Sequence, residues 1–283
     1  MHGQPGGAFD WRAVCERLDG SLAAIVADRP GWGDRRTDRL GWDDRRTDRL
    51  GWDDRRADRP GSGHREAPTG LDGNARAALR TLDARGVGRA VLVGHSFGGA
   101  VAAWLAATHP QRVSALVLLA PAANLQSLSA ADRLLALPLV GECLSALVLG
   151  GVGLGLASGG VRRRLASARG VDSAYLAAAG RAVRRPSAWL ANACEQRALV
   201  AELPALERML PSIRAPTTIL AGARDRIVPP AAVRSLAAVI PGARLEILPR
   251  AGHLLPQREP AIVAAAIADA AGARRPEAPP SGG

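Results

Sequence analysis

One short stretch in the first half of the chain constrains its fold more than any other. Residues Ala90 to Val93 are apolar, and they run directly into the sequence GHSFGG at positions 94–99. A helical pattern follows at once and continues to about Thr108. A strand, a tight turn between small residues and a helix in immediate succession predict a parallel sheet, with Ser96 held at the positive end of the helix.

The same alternation of strands and helices recurs along the chain. Further strands are predicted over Leu22–Ala27, Val113–Ala120, Thr217–Ala221 and Arg244–Leu248, and helices over Leu71–Arg85, Ala231–Ile240 and Pro260–Ala271. Strands that alternate with helices favour an α/β fold, because each helix returns the chain to the same end of the sheet. We therefore predict a mostly parallel sheet with helices on both faces.

The alternation stops between residues 121 and 212, where a Leu- and Ala-rich sequence predicts an inserted helical lid. The resulting domain prediction is a core in two parts, 1–120 and 213–271, with a flexible tail at 272–283. The run Cys143–Val161 carries no charge, so a membrane span has to be considered. Its glycines and its place inside one fold favour a buried lid helix or a pocket wall, and transient contact with lipid stays open.

Residues 28–67 consist of four copies of a ten-residue repeat. The copies are DRPGWGDRRT, DRLGWDDRRT, DRLGWDDRRA and DRPGSGHREA. Each copy offers too few apolar side chains to build a core, so we predict a duplicated, mostly disordered surface loop. Either Asp28–Gly31 or Asp58–Gly61 is available to pack beside the fold, and we favour the first. An Arg- and Trp-rich patch for anionic surfaces is the less favoured alternative.

Composition excludes several classes of function. The net charge is +11, but all 37 basic residues are arginine and they are spread along the chain, so we expect no nucleic-acid partner. The three cysteines are far apart and lack metal-ligand spacing, which argues against a zinc site, and we expect neither a metal nor a cofactor. No signal-peptide pattern is visible at the start, so a cytoplasmic location is predicted. Oligomeric state is not predicted.

A serine hydroxyl needs a base, and the base needs an anion that fixes its tautomer. Of the five histidines, His253 alone follows a late predicted strand in a glycine-led loop. Asp225 follows the strand before it, and the carboxyl ends of parallel strands meet at one edge of a sheet. We therefore select Ser96, Asp225 and His253 as candidates, while a turn serine, a loop-capping aspartate and a solvated histidine remain the alternatives.

In this order the three residues resemble the α/β-hydrolase fold family, in particular its capped esterases, lipases and cofactor-independent haloperoxidases. The matching sequences are HGQPG at 2–6, DRPG at 28–31, GHSFGG at 94–99, GARDRIVP at 222–229 and AGH at 251–253. The resemblance implies that Ser96 is the nucleophile, His253 the general base and Asp225 the orienting carboxylate. It also implies an oxyanion hole formed by the backbone N–H groups of Gln4 and Phe97. The implied activity is hydrolysis of a small or medium apolar carboxylic ester through an acyl-enzyme.

The sequence departs from the family at its beginning. Family members carry further strands before the loop that corresponds to His2–Gly6, and here the loop stands at the start. An exposed sheet edge and a loosely held oxyanion loop are therefore expected. Two functional alternatives follow: a weakly active or inactive member that serves as a binding protein, and a carbon–carbon bond hydrolase or perhydrolase that uses the same triad.

Overall fold

A computed structural model describes residues 1–18, 20, 22–33 and 67–272. Its sheet has four parallel strands in the order β1 (Ala90–His95), β2 (Val113–Leu119), β3 (Thr217–Gly222) and β4 (Arg244–Leu248). The register pairs Val93 with Val117, Leu118 with Ile219, and Leu220 with Glu246. All four carboxyl ends consequently lie along one edge of the sheet, which is where parallel sheets carry their sites. The predicted fold class is confirmed.

Helices account for most of the remaining described residues. They are α1 (Arg12–Cys15), α2 (Leu71–Asp83), α3 (Phe97–Thr108), α4 (Ala130–Leu135), α5 (Val140–Ala157), α6 (Gly159–Arg169), α7 (Ser173–Val183), α8 (Pro186–Met209), α9 (Pro230–Val239), α10 (Leu255–Arg258) and α11 (Pro260–Ala270). Short 3₁₀ turns occur at Ala8–Trp11, Pro110–Arg112, Leu125–Ser127 and Leu210–Ser212. Helices α4 to α8 form one insertion between β2 and β3.

The sheet separates two apolar cores, because successive side chains of a strand point to opposite faces. In β2, Leu116 and Leu118 belong to one core together with residues of α2, α3, α8 and α9. Val117 and Leu119 belong to the other, with residues of α1 and α11. The central strands β2 and β3 are thus buried on both faces, which explains their nearly continuous apolar sequences. Strand β4, at one end of the sheet, exposes Arg244 and Glu246.

One predicted strand is wrong. Residues Leu22–Ala27 form no strand, although Ala24 and Val26 pack against the second core. Their apolar side chains are therefore used for packing while their backbone joins no ladder. An apolar run of this length does not reveal whether a partner strand lies beside it. The repeat block from residue 34 to 66, including His64 and Asp58–Gly61, and the tail from residue 273 lie outside the described residues.

Helix α5 also departs from its prediction as a buried lid helix. By length and composition it is the one helix of the described residues that would suffice to cross a membrane, with a mean hydropathy of 1.7 over 18 residues, yet only 28% of it is buried. It packs against α7 and α8 through the face that carries Ser145, Leu149 and Gly153. Leu147 and Leu154, on the outer face, are 73% and 69% exposed. Its neighbours cover only the face that carries Gly141, Ser145, Leu149, Gly153 and Leu156.

Burial of Asp10 makes stability depend on pH. Desolvation raises the pKa of this carboxyl from 3.8 to about 7, against the opposing hydrogen bond from the Gly7 N–H and the charge of Arg29. Between these two pH values the folded state keeps a proton that the unfolded state has released. The free energy of unfolding therefore falls as pH rises through this window. The variant Asp10→Asn has no such proton, so it should gain up to ~4 kcal/mol relative to the wild type from about pH 4 to about pH 8.

Urea denaturation of both proteins at the two ends of that range measures the effect. The exposed Asp269 provides the control, since Asp269→Asn should follow the wild-type pH dependence. If the free energy of unfolding had the same pH dependence in the wild type and in Asp10→Asn, the proton uptake expected of the buried Asp10 would be contradicted.

Candidate active site

Ser96 lies in the sharp turn between β1 and α3, in a backbone conformation that few residues adopt. Its φ is 52° and its ψ is −119°, which costs a non-glycine residue about 1–3 kcal/mol. Hydrogen bonds impose this conformation: the Ser96 N–H donates to the Leu119 carbonyl at 2.9 Å, and the Ser96 carbonyl accepts from Gly99 and Ala122 at 2.9 and 3.2 Å. The turn presents the serine at the N-terminus of α3, although the residue is only 6% exposed.

The loop His2–Gly6 lies directly against this turn. The Met1 amino group donates to the Val93 carbonyl at 2.7 Å, and the His95 N–H donates to the Met1 carbonyl at 3.1 Å, so Met1 runs alongside β1. A Cβ atom placed on Gly3 would lie 3.3 Å from the Cβ of Ser96. His2 is fully buried. The loop is therefore tightly packed, contrary to the expectation that it is loosely held.

Gly98 shows how little space separates the turn from the loop. A Cβ at this position would lie 2.4 Å from the His2 carbonyl oxygen and 2.5 Å from that of Met1. We expect Gly98→Ala to displace the loop, to destabilise the protein by about 1–3 kcal/mol and to lower catalytic activity. Thermal unfolding and ester hydrolysis measure the two effects.

The matched control is Gly151→Ala in α5, another helical glycine, where an added Cβ meets nothing within 4 Å. This variant should be neutral or more stable by about 0.5–1 kcal/mol, because alanine is the better helix former. Equal stability and activity of Gly98→Ala and the wild type would contradict the packing described for the loop.

Asp225 and His253, which are 28 residues apart, meet at the carboxyl ends of β3 and β4. Nδ1 of His253 lies 2.8 Å from Oδ2 of Asp225. The second carboxylate oxygen, Oδ1, accepts from the N–H groups of Ile227 and Val228 at 2.8 and 3.0 Å. The side chain of Asp225 is 2% exposed and that of His253 is 10% exposed. The carboxylate is therefore fixed on one side by the backbone and on the other by the imidazole.

His95 connects Ser96 to the histidine loop. Its Nε2 lies 2.8 Å from the His253 carbonyl oxygen, and the two imidazole centroids are 4.8 Å apart. Burial, with a smaller contribution from the neighbouring His253, lowers the pKa of His95 to about 3. His95 is consequently neutral, and because a carbonyl can only accept, its proton is on Nε2. The sequence placed His95 beside the serine but did not predict this contact.

The structure brings the selected residues together to different degrees. Asp225 and His253 form a hydrogen bond. Phe97 follows Ser96 in the chain, and Gly3, the residue before Gln4, packs against Ser96. No hydrogen bond joins the Ser96 hydroxyl to Nε2 of His253 within the described part of the chain. Such bonds are often long without substrate and tighten when it binds. In residues 1–33 and 67–272, other than 19 and 21, no group of His, Cys, Asp or Glu could hold a metal ion.

A cavity of about 290 Å³ lies between the segment that follows the loop and helix α7. Phe9, Asp10, Trp32 and Tyr175 are among the residues that line it. Ser96 and His253 are not. The cavity is thus separate from the three candidate residues.

Comparison with known proteins agrees with this geometry. The sequence model of the Alpha/beta hydrolase family matches residues 1–266. Lipase LipV of Mycobacterium tuberculosis is 56% identical over 59 residues, which are 21% of this chain and 23% of that protein. A 2-hydroxy-6-oxononadienedioate/2-hydroxy-6-oxononatrienedioate hydrolase of Burkholderia vietnamiensis is 30% identical over 123 residues, or 42% of this chain and 34% of that protein. The aligned part of the chain thus spans about a quarter to a third of the length of these relatives.

Among solved structures, a thermophilic esterase from Thermogutta terrifontis superposes with a TM-score of 0.64 at 23% identity. The superposition covers 95% of this chain and 86% of the esterase. At that identity the likeness concerns the fold. Since the family model spans nearly all of the described sequence, the chain belongs to the alpha/beta hydrolase family of enzymes.

Proposed function

We propose that the protein is a serine hydrolase that cleaves a small or medium apolar carboxylic ester through an acyl-enzyme. The observation that carries this proposal is the 2.8 Å contact between Asp225 and His253, beside a serine held in a strained turn between strand and helix. A buried carboxylate that accepts from Nδ1–H leaves Nε2 of the imidazole unprotonated. That nitrogen is the one a serine nucleophile needs as its base.

In the proposed reaction, Oγ of Ser96 attacks the ester carbonyl carbon while Nε2 of His253 takes the hydroxyl proton. The C–O bond to the leaving alcohol then breaks, and the alcohol receives that proton from His253. A water molecule, deprotonated in turn by His253, attacks the acyl-serine and releases the carboxylic acid and free Ser96. Asp225 stabilises the imidazolium that forms in both halves of the reaction.

The negative charge that develops on the carbonyl oxygen needs hydrogen-bond donors. The backbone N–H groups of Gln4 and Phe97 are suited to this role, because neither donates to an acceptor among the residues that the structure describes. The Phe97 N–H also opens helix α3, so the helix dipole favours an anion there. One such donor is worth about 3–4 kcal/mol to the transition state.

The insertion α4–α8 is proposed to act as the lid that selects the substrate. Its helix α5 exposes leucine and valine side chains and its sole acidic residue, Glu142, is paired with Arg197. The apolar composition of the insertion favours apolar acyl or alcohol groups over sugars and nucleotides. It is equally compatible with transient contact between the lid and lipid. The lipase among the sequence relatives supports an ester substrate.

Carbon–carbon bond hydrolysis is the second candidate, favoured by the similarity to the Burkholderia hydrolase. The two activities share the triad and differ in the bond that is broken. A binding protein without turnover is the remaining alternative.

Hydrolysis of p-nitrophenyl esters of increasing acyl length, compared with a vinylogous 1,5-diketone, separates these functions. We expect a burst of p-nitrophenol from acyl-enzyme formation and a higher kcat/KM for butyrate than for acetate. Faster cleavage of the diketone would assign the carbon–carbon activity instead. Folded protein that turns over neither substrate would refute the enzymatic proposal.

A further inference from the structure

Arg29 forms a buried ion pair with Glu195, which joins the start of the chain to the helical insertion. Arg29 is 5% exposed and Glu195, on α8, is fully buried. Nε and Nη2 of Arg29 donate to the two carboxylate oxygens of Glu195 at 2.9 and 2.7 Å, so the pair is bidentate. Buried pairs of this kind are costly to form and contribute little net stability. Because its net stabilisation is small, the Arg29–Glu195 pair is a candidate for positioning neighbouring groups.

The remaining donor of Arg29 is directed at the oxyanion loop. Nη1 donates to the carbonyl oxygens of His2 and Gly3, the latter at 3.2 Å. The Arg29 N–H donates to Nε2 of His2 at 3.0 Å, so the His2 proton is on Nδ1, which donates to the Gly3 carbonyl at 2.9 Å. Two donors thus hold the Gly3 carbonyl oxygen on the side of Arg29.

The position of this carbonyl determines the direction of the next N–H group. The peptide bond between Gly3 and Gln4 is trans, and in a trans peptide the C=O and N–H point in opposite directions. With the Gly3 oxygen facing Arg29, the Gln4 N–H faces away from Arg29. Gly3 itself contacts the turn, since a Cβ there would lie 2.7 Å from Nδ1 of His95 and 3.3 Å from the Ser96 Cβ.

Helix α8 makes a second contact with the same loop, one turn away from Glu195. Nε2 of Gln4 donates to the Asn192 carbonyl at 2.7 Å. The guanidinium of Arg29 also lies 4.8 Å from the ring centroid of Phe97, the residue that would supply the other oxyanion donor. Arg29 therefore contacts or is adjacent to both sides of the proposed oxyanion hole.

We propose that helix α8 positions the oxyanion hole, through the Arg29–Glu195 pair, which orients the Gly3–Gln4 peptide so that the Gln4 N–H is available to the substrate oxygen. Arg29 and Glu195 are positioning residues in this proposal, because neither touches the reacting atoms. The proposal rests on the serine hydrolase function and adds to it that the lid helix controls transition-state stabilisation. A displacement of α8 would reorient this peptide without touching the triad.

The test uses Arg29→Lys and Glu195→Gln, each of which removes the bidentate geometry and keeps similar size. The control is Asp83→Asn, which weakens another Arg–carboxylate pair, between Asp83 at the end of α2 and Arg112 at 2.6 Å, outside the insertion and away from the loop. For p-nitrophenyl butyrate we expect Arg29→Lys and Glu195→Gln to lose about 10- to 100-fold in kcat, with KM changed by less than about threefold. Asp83→Asn should keep the wild-type kcat.

A tetrahedral inhibitor separates positioning from general structural damage. Phenylboronic acid accepts Oγ of Ser96 at boron and places a boronate oxygen where the oxyanion develops. Its inhibition constant should rise by about the same factor as kcat falls, whereas inhibition by the product butyrate and the shape of the pH–rate profile should not change. Equal losses for boronate and butyrate would indicate a damaged site and refute the proposal.

A folded variant of Arg29 or Glu195 with wild-type kcat would also overturn it. Arg29→Lys and Glu195→Gln lie in the interior and could prevent folding, which the loss of cooperative unfolding would show. In that case Gln4→Ala tests the proposal, because it removes the side-chain contact with Asn192 and keeps the backbone N–H. It should lower kcat by about 3- to 10-fold at constant KM, and an unchanged kcat would contradict control by α8. Absence of Ser96-dependent hydrolysis in the wild type would refute the function itself, which is a distinguishable outcome.

Discussion

Replacement of Ser96 by alanine is expected to lower kcat for p-nitrophenyl butyrate by about 10⁴-fold or more, because the acyl-enzyme then has no oxygen to form on. The fold should survive, since the Ser96 backbone, not its hydroxyl, makes the hydrogen bonds to Leu119, Gly99 and Ala122. Alanine at a positive φ costs about the same as serine, so the melting temperature should change little. Residual activity reflects binding and the oxyanion donors alone.

The control for this prediction is Ser212→Ala. Ser212 is exposed and its hydroxyl donates to the Met209 carbonyl. This variant should keep wild-type kcat and KM. If Ser96→Ala retained more than a few per cent of the wild-type kcat, another residue would have to be the nucleophile.

Replacement of Asp225 by asparagine should lower kcat by about 10³- to 10⁴-fold, with little change in stability. The N–H groups of Ile227 and Val228 hold an oxygen on one side of the side chain, so the amide NH₂ must face His253. Nδ1 then has to accept this hydrogen bond, and the imidazole proton moves to Nε2. The base is protonated at the atom that has to receive the serine proton.

The test compares pH–rate profiles of the wild type, Asp225→Asn and the exposed control Asp172→Asn. Asp172 caps α7 by accepting from the Ala174 N–H at 2.9 Å, which asparagine can also do. The control should match the wild type throughout. Wild-type kcat in Asp225→Asn would show that the carboxylate does not orient the base.

Much of this molecule could be predicted from local sequence. The strands around Val117 and Ile219 are buried on both faces, and that burial leaves a continuous apolar pattern between turn residues. The glycines around Ser96 indicate a turn in which strand and helix approach closely. Because parallel strands end at one edge, the order of Ser96, Asp225 and His253 was enough to predict that the last two meet.

Contacts between distant segments could not be predicted in this way. Arg29 and Glu195 are 166 residues apart, and nothing in either local pattern identifies the other as its partner. The sequence predicts a loosely held loop at His2–Gly6, because the strands that precede this loop in the family are missing from the sequence. It does not show that distant residues pack on the loop. The buried Asp10 and the His95 contact with the His253 carbonyl were missed for the same reason.

Helix α5 shows that the composition of a helix does not determine how much of it is buried. Its composition is that of a buried helix, yet the outer face that carries Leu147 and Leu154 is exposed. A helix that is apolar all round gives no information about which side its neighbours cover. The domain boundaries, the cytoplasmic location and the absence of a nucleic-acid partner stay predictions.

Labelling with a fluorophosphonate, followed by mass spectrometry of tryptic peptides, tests the central claim most directly. A nucleophilic serine displaces fluoride from phosphorus, and the adduct should be found on Ser96 alone, at close to one per chain. Labelling should be absent in Ser96→Ala and much slower in Asp225→Asn. A folded wild-type protein that stays unlabelled, or an equal label on Ser96→Ala, would contradict the account.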